Sequence, residues 1–89
     1  MAEQTVRIVN KQGLHARPIS RFVQLVAKYQ ADVQVTGPDG TVADGSSIFS
    51  MMTLAAGHGT ELTLRADGPQ ADDALAALAR LVAEGFGEP

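Results

Sequence analysis

The sequence contains no cysteine and no tryptophan, and only one tyrosine and three phenylalanines. Without cysteine it has no disulfide, no thiolate nucleophile and no cysteine-based zinc site, and a reducing compartment is compatible with it. So few aromatic rings disfavour RNA binding by base stacking. No run approaches ~18 apolar residues, so we expect no membrane insertion. The first residues lack the pattern of a signal peptide, so the cytoplasm is the expected location.

Positive charge is also scarce. Seven Lys and Arg residues against ten Asp and Glu residues give a formal net charge of −3. General nucleic-acid binding needs a basic surface, so we expect no nucleic-acid partner. Of the 89 residues, 45% are hydrophobic and 19% are charged, which is typical of a globular chain. At this length we expect a single domain, residues 1–89.

Hydrophobic periodicity predicts four strands and three helices. Alternating residues indicate strands over 4–9, 31–36, 41–43 and 61–66. One-sided helical spacing indicates helices over about 16–29, 48–55 and 70–84. The order βαββαβα predicts the α+β class. We expect an open-faced β-sandwich, in which three helices cover one face of a single sheet and water meets the other.

Gly13-Leu14-His15-Ala16-Arg17-Pro18 lies where the first strand gives way to the first helix. Gly13 permits a tight turn, and Pro18 suits the first helical turn. His15 is therefore expected just outside the helix N-terminus, where free N–H groups and the helix dipole favour an anion. Arg17 adds a planar donor set for phosphate oxygens, and a neutral imidazole is a nucleophile. The alternative without a chemical role is that His15 caps the helix and Arg17 is a solvated side chain.

The segment Lys11-Gln12-Gly13-Leu14-His15-Ala16-Arg17-Pro18 closely resembles the active-site segment of HPr. HPr is the histidine-containing phosphocarrier of the bacterial phosphoenolpyruvate-dependent phosphotransferase system. The resemblance covers nearly the whole chain. It includes Ser47-Ile48-Phe49-Ser50-Met51-Met52-Thr53-Leu54, which is similar to the family's second helix, and the helix that ends at Gly85-Phe86. It implies a four-stranded antiparallel sheet in the order 1-4-2-3.

The resemblance also implies a chemical role for two residues. His15 would accept a phosphoryl group on imidazole Nδ1, as a pros-phosphohistidine, from enzyme I and pass it to enzyme II A components. Arg17 would stabilise that group. The protein would be a transfer intermediate rather than a free-standing enzyme, and we expect a monomer without cofactor. We also expect no metal, because His58 has only His15 as a second histidine and no cysteine to assist it.

A regulatory serine is implied at the start of the second predicted helix. In many family members this serine is phosphorylated by an ATP-dependent HPr kinase/phosphorylase. Alignment of Ile48 and Phe49 with the family's apolar pair makes Ser47 that residue, although an inserted residue nearby leaves Ser46 as the alternative. A phosphate at a helix N-terminus would add charge to a docking surface. Equally, Ser47 can be a simple N-cap.

A carrier that recognises several partners needs an apolar surface beside its reactive group. Residues 45–60 contain no Asp, Glu, Lys or Arg, and we assign Met51 and Leu54 in this window to the core. The residues expected to contact partners are Ala16, Ser20, Ile48, Phe49 and Met52.

Two other functions are open at this stage. One is a non-catalytic HPr-like regulatory module, against which the presence of both His15 and Arg17 argues. The other is a ferredoxin-like domain that binds a small molecule or RNA.

The branch of the family is open as well, because Gln24, Ala27 and Ser50 stand where sugar-type members carry lysines. The ending of the chain is closer to nitrogen-related members, or to members from bacteria with few sugar transporters.

Overall fold

Four antiparallel strands form one sheet in a computed structural model that describes residues 2–88. The strands are β1 (Ala2–Arg7), β2 (Asp32–Thr36), β3 (Val42–Asp44) and β4 (Glu61–Asp67). The α-helices in this part of the chain are α1 (Ala16–Val26), α2 (Ile48–Met52) and α3 (Ala71–Ala83). A 3-10 turn, Gly85–Gly87, follows α3. The sheet order β1-β4-β2-β3 confirms the strand order that the resemblance implies, and the α+β class is confirmed with it.

The two faces of the sheet differ in the way that the alternating pattern predicts. Inward side chains of β2 and β4 join apolar side chains of all three α-helices in one continuous core. The buried residues of these two strands are Val33, Val35, Leu62, Leu64 and Ala66, and Ala43 of β3 is buried with them. The opposite face carries exposed ion pairs, Arg7–Glu61 at 2.9 Å and Glu3–Arg65 at 3.0 Å. The helices therefore cover one face, and charged side chains occupy the other.

Most predicted boundaries lie within one residue of those observed, but β1 is displaced. It spans Ala2–Arg7, where the sequence predicts 4–9. It begins earlier because β4 extends far enough to pair with its first residues. After Arg7 the Ile8 amide still donates to the Thr60 carbonyl at 2.9 Å, so backbone pairing continues briefly beyond the regular ladder. The expected domain, residues 1–89, includes Met1 and Pro89, which lie outside the described residues.

Both α1 and α2 end three residues before their predicted ends, at Val26 and Met52. The chain continues in tighter turns at both places. The Tyr29 amide donates to the Val26 carbonyl at 3.1 Å, and the Leu54 amide donates to the Met51 carbonyl at 3.2 Å, three residues back rather than four. Apolar spacing persists through such turns, so periodicity alone predicted helices that were too long.

The short helix α2 contributes to the core through one side. Met51 is fully buried, as the sequence predicts. Leu54 is half-buried and packs against the core from its edge. The opposite side of α2 is exposed, and it carries Ile48, Phe49 and Met52.

Candidate functional site

The turn before α1 is held against the loop that follows α2. Gly13 has a φ of +70°, and the amide of Leu14 donates to the carbonyl of Ala56 at 2.7 Å. A Cβ atom on Gly13 would lie 2.7 Å from both the Ala56 carbonyl oxygen and the Gly57 Cα. Only glycine combines this backbone conformation with so close an approach. The contact therefore fixes where α1 begins.

His15 is the N-cap residue of α1. Its backbone is extended, with φ −103° and ψ −170°, and its carbonyl accepts a hydrogen bond from the Ile19 amide at 3.0 Å. Its side chain makes no capping hydrogen bond and is 35% exposed. The sequence-based position just outside the helix is therefore confirmed, and the imidazole is not used to terminate the helix.

The imidazole is held instead by a residue near the other end of the chain. Nε2 of His15 lies 3.1 Å from Oε1 of Glu88. The same Glu88 oxygen accepts a hydrogen bond from Nδ2 of Asn10 at 3.0 Å, and Nδ2 also donates to the Gly13 carbonyl at 2.7 Å. Asn10 thus connects the Gly13 turn to the carboxylate that touches His15.

The environment of Glu88 favours its ionised form. Burial raises the pKa of Glu88, but hydrogen bonds from His15 and Asn10 and the charges of His15 and Arg17 outweigh that effect. The net result is a pKa below the ordinary value of 4.5. At neutral pH the side chain is therefore a carboxylate, which can only accept hydrogen bonds.

Arg17 lies close enough to Glu88 for its positive charge to help lower the pKa of that carboxyl. It is exposed and lines an open cavity of about 390 Å³. Lys11 and Arg21 contribute two further positive charges to that cavity, and Glu88 contributes the negative one. His15 is not part of its lining. The structure brings both predicted residues to Glu88 without placing them in one shared pocket.

The residues predicted to contact partners lie on α1 and α2, which pack against each other. Phe49 is 85% exposed, Ile48 and Met52 are also exposed, and Ala16 is exposed at the first turn of α1. Ser20 is half-buried. The apolar side of α2 is therefore accessible, and its role in docking stays a prediction.

The two candidate serines have different roles in the fold. Ser47 is the N-cap of α2, and its hydroxyl accepts a hydrogen bond from the Ser50 amide at 3.2 Å. Ser46 is more exposed, and its hydroxyl donates to Asp44 Oδ1 at 2.7 Å. Hydrogen bonds from the amide and the hydroxyl of Ser46 lower the pKa of Asp44. The capping function considered for Ser47 is thus present.

Sequence analysis missed Asn10 and Glu88. Each acts through a contact with a distant part of the chain, which no local pattern reports. The one available signal was Phe86, a large apolar residue between two glycines after α3, which indicates a segment anchored to the core.

His58 is exposed, and no group of three or more potential metal ligands occurs within residues 2–88. None of the helices described has the length and hydropathy needed to cross a bilayer.

The family model, the similar proteins and the similar structures all belong to one family. A family model described as "PTS HPr component phosphorylation site" matches residues 2–84. The chain is 40% identical to phosphocarrier protein NPr of Klebsiella oxytoca over 86 residues, covering 97% of this chain and 96% of that protein. It is 43% identical to phosphocarrier protein HPr of Pseudomonas aeruginosa over 83 residues, covering 93% and 92%.

The fold comparison agrees with the sequence comparison. The crystal structure of HPr-C-His from Thermoanaerobacter tengcongensis superposes with a TM-score of 0.94 at 37% identity, covering 100% of this chain and 99% of that chain. Other similar structures are dimers of HPr and of Crh. The expectation of a monomer is therefore neither confirmed nor contradicted and stays a prediction.

The Gly13 turn can be tested with two alanine substitutions. Gly13→Ala should reduce the free energy of unfolding by about 1–3 kcal/mol, because it adds backbone strain and a clash with the Ala56–Gly57 loop. Gly40→Ala is the matched control, since Gly40 also has a positive φ, +89°, but its added Cβ meets open space. Urea unfolding measures both. Equal losses in the two variants would show that the close approach to Ala56 does not constrain the turn.

Proposed function

This chain belongs to the HPr family of phosphocarrier proteins of the phosphotransferase system, and we propose that His15 is its phosphoryl acceptor. One observation carries the proposal. The imidazole is partly exposed at the N-terminus of α1, makes no capping hydrogen bond, and forms its hydrogen bond within residues 2–88 through Nε2. Nδ1 is therefore available to a phosphoryl donor.

The proposed transfer is a nucleophilic displacement at phosphorus. The lone pair of Nδ1 forms the new N–P bond, while the bond between phosphorus and the donor breaks and its electron pair leaves with the donor. In donation to the next protein, a nucleophile of the acceptor forms the new bond to phosphorus, and the electron pair of the N–P bond returns to Nδ1. Positioning and charge stabilisation dominate such reactions, so a small exposed site is sufficient.

The first turn of α1 supplies donors for the phosphoryl oxygens. The amides of Ala16 and Arg17 are the first of the helix and have no intrahelical acceptor, whereas Pro18 has no amide hydrogen. The Ile19 amide is already used by the His15 carbonyl. Two free amides, the positive end of the helix dipole and the Arg17 guanidinium thus favour the charge that arrives with the phosphoryl group.

The proposed partners follow from the family and from the apolar side of α2. Enzyme I would be the donor and enzyme II A components the acceptors, each docking on the surface formed by Ala16, Ser20, Ile48, Phe49 and Met52. We propose that the chain acts in the cytoplasm as a monomer. We also propose that it forms one domain, which its single continuous core supports. Similar identity to an NPr and to an HPr protein leaves both the nitrogen-related and the sugar-type branch open.

A regulatory phosphorylation of Ser47 by an HPr kinase/phosphorylase is a second element of the proposal. A phosphate there would stay at the N-terminus of α2, where its oxygens could take over the bond from the Ser50 amide. It would also place negative charge beside the exposed Ile48 and Phe49. The alternative site, Ser46, is less favourable because its hydroxyl already bonds the Asp44 carboxylate, which would repel a phosphate.

Phosphorylation by enzyme I, magnesium and radiolabelled phosphoenolpyruvate tests the acceptor directly. Wild-type protein should acquire acid-labile label, and His15→Ala should acquire none. Arg17→Ala should slow transfer by roughly 10- to 100-fold, since it removes one charge-stabilising donor. Because Arg17 is exposed, its unfolding free energy should change by less than ~0.5 kcal/mol. Equal labelling of His15→Ala, or no labelling of wild type by enzyme I of either branch, would refute the proposal.

The docking surface can be tested by removing its largest side chain. Phe49→Ala should raise the KM for enzyme I by about tenfold, because truncation of an aromatic anchor typically costs more than 1 kcal/mol of binding energy. Val42→Ala is the matched control, since Val42 is an exposed apolar residue on the edge strand β3. Its kinetics should match wild type. An unchanged KM in Phe49→Ala would place the enzyme I interface elsewhere.

The regulatory site can be tested with an HPr kinase, ATP and intact-protein mass spectrometry. Wild-type protein and Ser46→Ala should gain one phosphate, and Ser47→Ala should gain none. Ser47→Ala should also lose about 1 kcal/mol of stability through the missing cap, so its fold is verified by circular dichroism. Modification of Ser47→Ala but not of Ser46→Ala would assign the site to Ser46, and an unmodified wild type would end this element of the proposal.

A further inference from the structure

The segment that follows α3 is anchored rather than loose. We refer to residues 85–88 as the C-terminal strap. Phe86 in this strap is fully buried although its φ is +58°, and its carbonyl accepts a hydrogen bond from the Arg21 guanidinium on α1. Gly85 and Gly87 flank it with φ values of +63° and +75°. The buried Phe86 ring and the hydrogen bond from Arg21 thus hold the strap in place, and Glu88 at its end lies beside His15.

Glu88 makes two hydrogen bonds at the end of this strap. Its side chain is only 14% exposed, and Oε1 accepts from Asn10 Nδ2 at 3.0 Å and faces His15 Nε2 at 3.1 Å. Asn10 is itself buried and bonds the Gly13 carbonyl. The carboxylate is therefore held from one side by the turn that positions His15 and from the other by the strap.

The contact determines which ring nitrogen carries the proton. A carboxylate only accepts hydrogen bonds, so Nε2 must be the donor when the ring faces it. A neutral imidazole has one N–H group, and its second nitrogen then carries a lone pair. Nε2–H therefore leaves that lone pair on Nδ1, the atom assigned above as the nucleophile.

We propose that Glu88 is a positioning residue for phosphoryl transfer, which holds His15 in the tautomer that presents Nδ1 to the phosphoryl donor. This inference rests on the proposed function of His15. When Nδ1 forms the N–P bond, the ring keeps its proton on Nε2 and becomes formally positive. The Glu88 carboxylate lies against that N–H group and stabilises the charge, as carboxylates that orient histidines do elsewhere.

Nitrogen-15 NMR of histidine-labelled protein tests the tautomer without any partner protein. Above the pH at which the rings lose their second proton, wild-type His15 should show a protonated Nε2 and an unprotonated Nδ1. Glu88→Ala should shift both nitrogens towards values averaged over the two tautomers. Glu88→Gln should keep the wild-type pattern, because its amide oxygen still accepts from Nε2. The exposed His58 is an internal control whose signals should stay the same in every variant.

Transfer kinetics with enzyme I and phosphoenolpyruvate test the consequence. Glu88→Ala should lower the first-order transfer rate about tenfold, as loss of a group that orients a histidine typically does. Glu88→Gln should be intermediate, since it preserves the orientation but removes the charge. Glu84→Ala is the matched control, because Glu84 is an exposed carboxylate at the end of α3 that makes no contact with His15. Its rate should equal that of wild type.

The outcomes separate this inference from the proposed function. A wild type that transfers phosphate, with a Glu88→Ala variant of unchanged tautomer or unchanged rate, would overturn the role of Glu88 and leave His15 as the carrier. A slower Glu88→Ala variant with unchanged tautomer would likewise show a structural effect only. A wild type that is not phosphorylated would refute the proposed function, while the NMR result would still report whether Glu88 sets the tautomer.

Discussion

The approach of the Gly13 turn to the loop after α2 is the contact on which the site depends. It is closed by the hydrogen bond from the Leu14 amide to the Ala56 carbonyl at 2.7 Å, and it leaves no space for a side chain at position 13. Because the turn is fixed, α1 starts immediately after His15. The first amides of the helix, which have no intrahelical acceptor, therefore lie beside the imidazole to which we assign the phosphoryl group.

Groups of opposite charge surround this imidazole. In the proposed mechanism, the N-terminus of α1 and Arg17 would provide positive potential for the phosphoryl oxygens, and Glu88 would provide negative charge for the protonated side of the ring. Nε2 of the ring is the nitrogen that faces the Glu88 carboxylate. None of these charged groups belongs to the apolar core, which lies between the sheet and the helices.

The parts of the molecule that were predictable from sequence are those set by local periodicity. Alternation along β2 and β4 located the buried face of the sheet, and the residues around Pro18 located the start of α1. The resemblance of the segment around His15 supplied the strand order, which periodicity cannot give. The ends of α1 and α2 were misjudged because apolar spacing continues through the tighter turns that follow them.

The contact between His15 and Glu88 was not predictable in this way. The two residues lie 73 positions apart, and they meet only because Phe86 is buried and turns the strap back over α1. For α2, by contrast, the buried Met51 and the exposed Phe49 agree with the sides of the helix that the sequence analysis assigned to them. Local sequence therefore indicated the proposed nucleophile, and tertiary packing determined its surroundings.

The nitrogen that carries the phosphoryl group is the most direct test of this mechanism. It can be identified by nitrogen-15 and phosphorus-31 NMR of the histidine-labelled protein after phosphorylation. Splitting of the His15 Nδ1 resonance by phosphorus, with Nε2 still protonated, is the expected result. Splitting at Nε2, or phosphorus coupling to His58 instead of His15, would contradict the mechanism.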